Sequence, residues 1–184
     1  MKIMSKILLL FVAAGFFFFS CKKNNNNNNN ESLTTQDRNF IDQASISNTA
    51  EIRAGQYADS TVDSTTDSLG TSIRAFAAKI VTDHTTAQND LKTLGNSVNV
   101  AVTDSVDSMH SSQMDSLKML SGRAFDSAYI LSQIADHQAA INTFQQESNS
   151  GNRSAVINYA NKYLPVLQMH LQMADSLATA MGFK

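Results

Sequence analysis

The chain has 184 residues, enough for a short leader and one domain with a real core, and its 14 basic and 16 acidic side chains give a net charge of −2 with no basic stripe. That distribution offers no footing for a nucleic-acid partner. Seven glycines, one proline, no tryptophan and the lack of any alternating Val/Ile/Thr segment long enough for a sheet point to an all-α protein.

The chain opens with Lys2 and Lys6, an apolar run from Ile7 to Phe19, and Ser20 before Cys21. A basic start, a short apolar stretch and a small residue before a cut form a secretory signal, and the run is shorter than the roughly twenty residues a membrane span needs. An uncleaved anchor is the competing reading. Phe18-Phe19-Ser20-Cys21 resembles the lipobox of bacterial lipoproteins, with Phe18 in place of the usual leucine, which implies acylation of Cys21. Cys21 is the only cysteine, so once it carries lipid no thiol remains for a disulfide, a thiolate metal site or a nucleophile. Residues 1–20 are then the signal peptide. Residues 21–31 are the lipidated cysteine and a tether, because the run Asn24 to Asn30 has no apolar residue to offset the entropy of ordering. The expected setting is the bacterial cell envelope, anchored to a membrane by lipid and facing the periplasm.

Residues 32–184 form the folded domain. The first helix is expected from about Thr35 to Val62, capped by Thr34 or Thr35, with Phe40, Ala44, Ser47, Glu51, Ala54, Ala58 and Val62 on one stripe. Asp59-Ser60, Asp63-Ser64 and Asp67-Ser68 then read as turn and capping chemistry. The second helix, about Ser68 to Val98, carries Ile73, Phe76, Ala77, Ile80, His84, Ala87, Leu91, Leu94 and Val98 at spacings of three and four. A polar connection leads to a short helical piece, Met114 to Leu120, stopped by Gly122. The third long helix, about Phe125 to Ser148, aligns Ile130, Ile134, His137, Ile141 and Phe144. The last, about Arg153 to Met181, carries His170 on its apolar stripe and Pro165 inside, where proline removes a backbone bond and should bend the helix. Four such helices with one long connection predict an antiparallel four-helix bundle, ferritin-like in topology; an up-and-down bundle with a decorated loop stays open.

One ionisable residue interrupts each apolar stripe: Glu51, His84, His137 and His170. Each lies near the middle of its helix, and in an antiparallel bundle the middles share a layer. Three imidazoles and a carboxylate at one height are a first shell for a transition metal ion. His84, His137 and Glu51 are expected to converge, while the bend at Pro165 is able to rotate His170 away. The functional expectation is a membrane-tethered module that binds a transition metal or a small ligand at this layer; the competing reading is a structural or stress-related interaction protein of the envelope whose buried polar layer fixes helix pairing and binds nothing. Asp83 and Asp136, about 100° round the helix from the histidines that follow them, point toward a neighbouring helix or solvent. Val81, Ile134 and Leu167 stand where di-iron bundles carry the glutamate of Glu-x-x-His, which argues against a two-metal oxidase. Met109, His110 and Met114, and Met169 with Met173, offer thioethers suited to Cu(I), though methionine also fills core gaps. No phosphate loop, serine elbow or His-Glu-x-x-His motif marks a reaction.

Phe40, Ala44, Glu51 and Gly55, then Phe76-Ala77, Asp83-His84, Asn89 and Leu91, then Ser121-Gly122, Phe125-Asp126, Tyr129 and His137, then Leu164-Pro165, His170-Leu171 and Ala174 together resemble the domain-of-unknown-function 4142 family. The resemblance covers nearly the whole mature domain. It implies a ferritin-like helical bundle and an exported bacterial protein, and it supplies no catalytic residues.

Overall fold

A computed structural model describes residues 31–63 and 68–183. The signal segment, Cys21 and the asparagine tether lie outside them, as do Ser64 and Asp67 from the turn between the first two helices. The described residues form a bundle of five helices and no strand: α1 (Thr35–Thr61), α2 (Ser68–Val98), α3 (Ser108–Lys118), α4 (Gly122–Ser150) and α5 (Ser154–Ala180). None of these helices is long and apolar enough to cross a membrane.

Local chemistry sets the helix ends. Thr34 caps α1 in a reciprocal box: its hydroxyl accepts from the Asp37 amide at 3.2 Å, and the Asp37 carboxylate accepts from the Thr34 amide at 2.6 Å. The far end of α2 closes with Asn99 at φ 56°, a conformation asparagine tolerates, and the Val100 amide donates back to the Gly95 carbonyl at 2.9 Å. Helix α3 begins at Ser108 rather than at the expected Met114, because Asp107 caps it through the His110 amide. Gly122, expected to stop that helix, instead opens α4 at φ 53°. Helix α5 continues through Pro165 from Ser154 to Ala180.

The long helices pack as neighbours in the pairs α1/α2, α4/α5, α2/α5 and α1/α4. Contacts give their directions. Phe40 meets Phe144 and Tyr57 meets Phe125, so α1 and α4 are antiparallel. Asp83 reaches His170 while Asp90 reaches Tyr163, so α2 and α5 are antiparallel too. Asn48 with His84, and Asp59 with Arg74, set α1 against α2 in the same sense. It follows that α2 and α4 run in one direction, and the segment between them must travel the length of the bundle. Along the way it is pinned to α1 and α2: the Thr103 carbonyl accepts from Ser45 at 2.7 Å, and Asp104 accepts from Gln88 and Lys92 at 3.0 and 2.6 Å.

Two apolar clusters fill the interior. One gathers Phe76, Ile80, Phe125, Tyr129, Ile130, Ile134, Ala174 and Met181 with neighbours; Leu117 of α3 joins it. The other gathers Phe40, Ile41, Ala44, Leu91, Phe144, Tyr159 and Leu167. Each large apolar side chain so buried contributes about 1.5–3 kcal/mol. Between them, on every long helix, lies a polar layer: Ser45, Asn48, Thr49 and Glu51 on α1, His84 and Gln88 on α2, Gln133 and His137 on α4, and His170 on α5, all buried. Burying so many polar groups is costly unless each finds a partner, so the partners decide what the layer is for.

Candidate metal centre

His84, His137 and His170 are 4%, 1% and 0% exposed, and each offers one ring nitrogen such that the three lie within 4.8 Å of one another. Their ring centroids form a near-equilateral triangle with sides of 5.6, 5.4 and 5.3 Å. The apolar spacing that makes α2, α4 and α5 helical also turns these three positions inward at one height. His170 takes its place because α5 runs unbroken through Pro165.

The tautomer of each ring follows from acceptors that have no proton to give. The Gln133 carbonyl lies 2.9 Å from His137 Nδ1, so Nδ1 carries the proton and Nε2 a lone pair. The Asp83 carboxylate lies 2.8 Å from His170 Nε2, so Nε2 carries the proton and Nδ1 is bare. For His84 the deduction starts at the Ala87 carbonyl, which accepts from the Tyr159 hydroxyl at 3.2 Å. That hydroxyl therefore accepts from Asn48 Nδ2 at 3.1 Å, which turns Asn48 Oδ1 toward His84 Nδ1 at 2.9 Å. His84 Nδ1 must donate, and its Nε2 is left bare.

The inward atoms of the triangle are thus three lone pairs. His137 Nε2 and His170 Nδ1 face each other at 3.3 Å, and His84 Nε2 is buried with no hydrogen-bond partner. Carboxylate, carbonyl and amide oxygens stand behind the rings, and groups of this kind orient the histidines of metal sites. Electrostatics agree. Burial first, then the neighbouring imidazoles, push His84 well below its ordinary pKa. Burial and then His170 push His137 down to about 4. His170 is also lowered by burial, against the opposing pull of Asp83. All three rings are neutral at neutral pH, the form that ligates.

Glu51 stands on the other edge of His137. Its Oε1 is 3.7 Å from Nδ1, the outward nitrogen, and its Oε2 accepts from Gln133 Nε2 at 2.6 Å. Burial, then the charge of Asp136, raise its pKa to about 8. Glu51 is therefore set behind the triangle, not in it. Asp83 reaches the neighbouring helix, and Asp136 accepts from Gln113 of α3 at 2.7 Å. Asn48 and Gln133 escape the sequence reading, which put Ser47 on the α1 stripe; Ser47 is only half-buried while Asn48 is buried. Tyr159 sets the orientation of Asn48. A buried amide on a stripe that already carries an ionisable residue is the signal that finds them.

A cleft of about 270 Å³ opens between α1 and α4 and has Glu51, His84 and His137 among its walls, with Asp107, Met109 and His110 from the start of α3. On the α2/α5 side the hollow touching His84 and His170 holds only about 10 Å³.

Residues 22–177 match the family described as domain of unknown function (DUF4142), and the chain belongs to that family. No curated protein matches it. Among solved structures it is similar in fold to a DUF305 fragment from Deinococcus radiodurans, with a TM-score of 0.63 and 13% identity over 82% of this chain and 98% of that one.

Proposed function

We propose that this DUF4142 protein is a lipid-anchored envelope protein that binds one transition-metal ion through His84 Nε2, His137 Nε2 and His170 Nδ1. One observation carries the reading: three buried histidines each offer a ring nitrogen within 4.8 Å of the others, and the bonds behind the rings leave His84 Nε2, His137 Nε2 and His170 Nδ1 unprotonated. A transition-metal cation satisfies that arrangement, and imidazole nitrogen suits zinc, copper, iron and nickel. A neutral three-nitrogen set with a cleft on one side resembles open metal sites, which keep a position for water or a further ligand. Asp83 and the Gln133 carbonyl act as outer partners, and Glu51 holds the Gln133 side chain.

The arrangement in the membrane is part of the proposal. Acylation of Cys21 would hold the domain off the lipid surface by the asparagine tether, and the family match begins just after that cysteine. A lipid chain contributes about 0.8 kcal/mol per buried CH₂, and no described helix offers a substitute anchor. Cys21→Ala should release the protein from membranes; unchanged lipid labelling would refute this part. For the bundle we favour the ferritin-like topology of four long helices, supported by the parallel run of α2 and α4 and by the long connection between them.

The second reading is a layer that only specifies the fold. It is favoured by the bonding among Asn48, Gln88, Ser45 and Tyr159, which ties α1, α2 and α5 together without an ion. The two readings part on a titration of the residue 31–184 fragment with Zn²⁺ or Co²⁺. A metal site binds one equivalent, raises the melting temperature by mass action, and loses both effects in His137→Ala. If metal leaves the melting temperature of the wild-type fragment unchanged, the fold-specifying reading stands and the metal reading falls.

A further inference from the structure

The buried triangle can be reached from one side, and a fourth histidine stands there. The α2/α5 hollow of about 10 Å³ is at the limit of what one water needs, whereas the α1/α4 cleft is about 270 Å³. His110 lines that cleft. It also lines the groove of about 440 Å³ between α1 and α3 and a small hollow beside Glu51 and Asp136, so it sits where these spaces meet. Met109 beside it in sequence is 62% exposed, and its thioether is free to meet an ion from solution.

Asp107 prepares His110 for ligation. The same oxygen, Asp107 Oδ1, accepts from the His110 amide at 2.9 Å and from His110 Nδ1 at 2.7 Å. One carboxylate thus caps α3 and holds the ring by Nδ1, which leaves Nε2 as the ring nitrogen not engaged by Asp107. The side chain is 13% exposed, between solvent and interior. Inward from it, Asp136 and Glu51 line the way to His137, and the cleft ends on His84, whose Nε2 has no partner.

Resting on the metal reading above, we infer that His110, with Met109, is an inlet ligand that takes a transition-metal ion at the mouth of the cleft and passes it to His84, His137 and His170. The transfer is ligand exchange: the bond from the ion to His110 Nε2 breaks as bonds to the inner nitrogens form, with no change of oxidation state. A relay ligand of this kind alters the rate of loading in both directions and leaves the equilibrium alone.

The test uses Co²⁺ and the residue 31–184 fragment, with loading followed by visible absorbance and release driven by a chelator. His110→Ala leaves the Asp107 cap in place, and circular dichroism checks its helix content. Loading and release should both slow by the same factor, about tenfold or more, within the one to three decades that association rates span among variants of one site. Met109→Leu should slow loading less, and affinity should not move in either variant. Unchanged rates in His110→Ala would overturn the inlet while leaving the metal site standing. Faster release with weaker affinity would also overturn it, making His110 a ligand of the final site. A wild-type fragment that binds no Co²⁺ would sink the metal reading and the inlet with it.

Discussion

His137 Nε2 and His170 Nδ1 face each other at 3.3 Å although neither has a proton to share, because Gln133 and Asp83 hold the protons of both rings on their outer sides. In a purely structural pair one ring would turn and donate to the other. Here the acceptors behind the rings favour the opposite arrangement, which a bound cation would relieve.

Those acceptors are the first thing to test. Asp83→Asn removes the charged acceptor behind His170, and Asn48→Ala frees His84 to change tautomer. Each should weaken Zn²⁺ binding about 10–100-fold, the usual effect of a lost outer partner, and less than loss of a ligand. Isothermal titration of the variants reads this directly. Affinity equal to wild type in both would mean that the rings are held by packing alone and that the tautomer deduction carries no functional weight.

Proton competition gives a second test. An ordinary histidine site fails below about pH 6 because imidazole must be neutral to ligate. Burial has moved His137 to about 4 and His84 well below its ordinary value. Metal affinity should therefore persist below the pH of about 6.5 at which an ordinary histidine site begins to fail, with the His137 contribution lost only as pH approaches about 4. For the metal-free protein the sign is the same. The folded pKa values lie below the unfolded value of 6.5, so this contribution to stability is present above 6.5 and lost as pH falls toward the folded values. Affinity that is halved by pH 6.5 would contradict the buried, neutral triangle.

The path of the chain past α2 depends on Gly95. A Cβ there would lie 2.6 Å from the Val100 carbonyl oxygen and 2.6 Å from Val102 Cγ2, so the backbone that turns back over the helix must shift. Gly95→Ala should destabilise the domain by about 1–3 kcal/mol in urea unfolding, the range for overpacking. Because the same segment carries Asp107 and His110, the variant should also lose the slow-to-fast difference in metal loading that separates wild type from His110→Ala.

The sequence made the long helices legible because apolar residues recur every three or four positions, a signal that depends only on helix geometry. It made His84, His137 and His170 legible for the same reason: an ionisable group on an apolar stripe points inward wherever the stripe does. What it could not show is which edge of His137 meets Glu51, since the two edges of one ring differ by a side-chain torsion and a bond from Gln133. Nor could it show Asn48, whose importance comes from Tyr159 and Ala87 on two other helices. The early start of α3 was hidden by Asp107-Ser108, which reads equally as loop or cap until the His110 amide is seen to use it.

A carboxyl pair at the other end of the bundle makes the last prediction. Glu147 near the end of α4 lies against Asp37 in the first turn of α1, and both are buried. Burial would raise Asp37, but bonds from Thr34, Arg153 and Asn152 outweigh it and hold that carboxyl well below the usual range. Glu147 has weaker support, one bond from Gln36 at 3.2 Å, and burial followed by the neighbouring Asp37 pushes it up to about 7 from 4.5. A carboxyl with a raised folded pKa contributes stability that is fully present below 4.5 and lost as pH rises through 7. Each proton is worth at most about 1.4 kcal/mol per pH unit, less where water screens the group. Glu147→Gln keeps the shape and the bond from Gln36 but cannot ionise beside Asp37. Between about pH 5 and pH 7.5 its unfolding free energy should therefore gain on that of wild type with every step in pH. Urea melts of the two proteins across that window give the difference directly, and parallel curves would mean that Glu147 is already ionised in the folded state and that Asp37 tolerates a second charge.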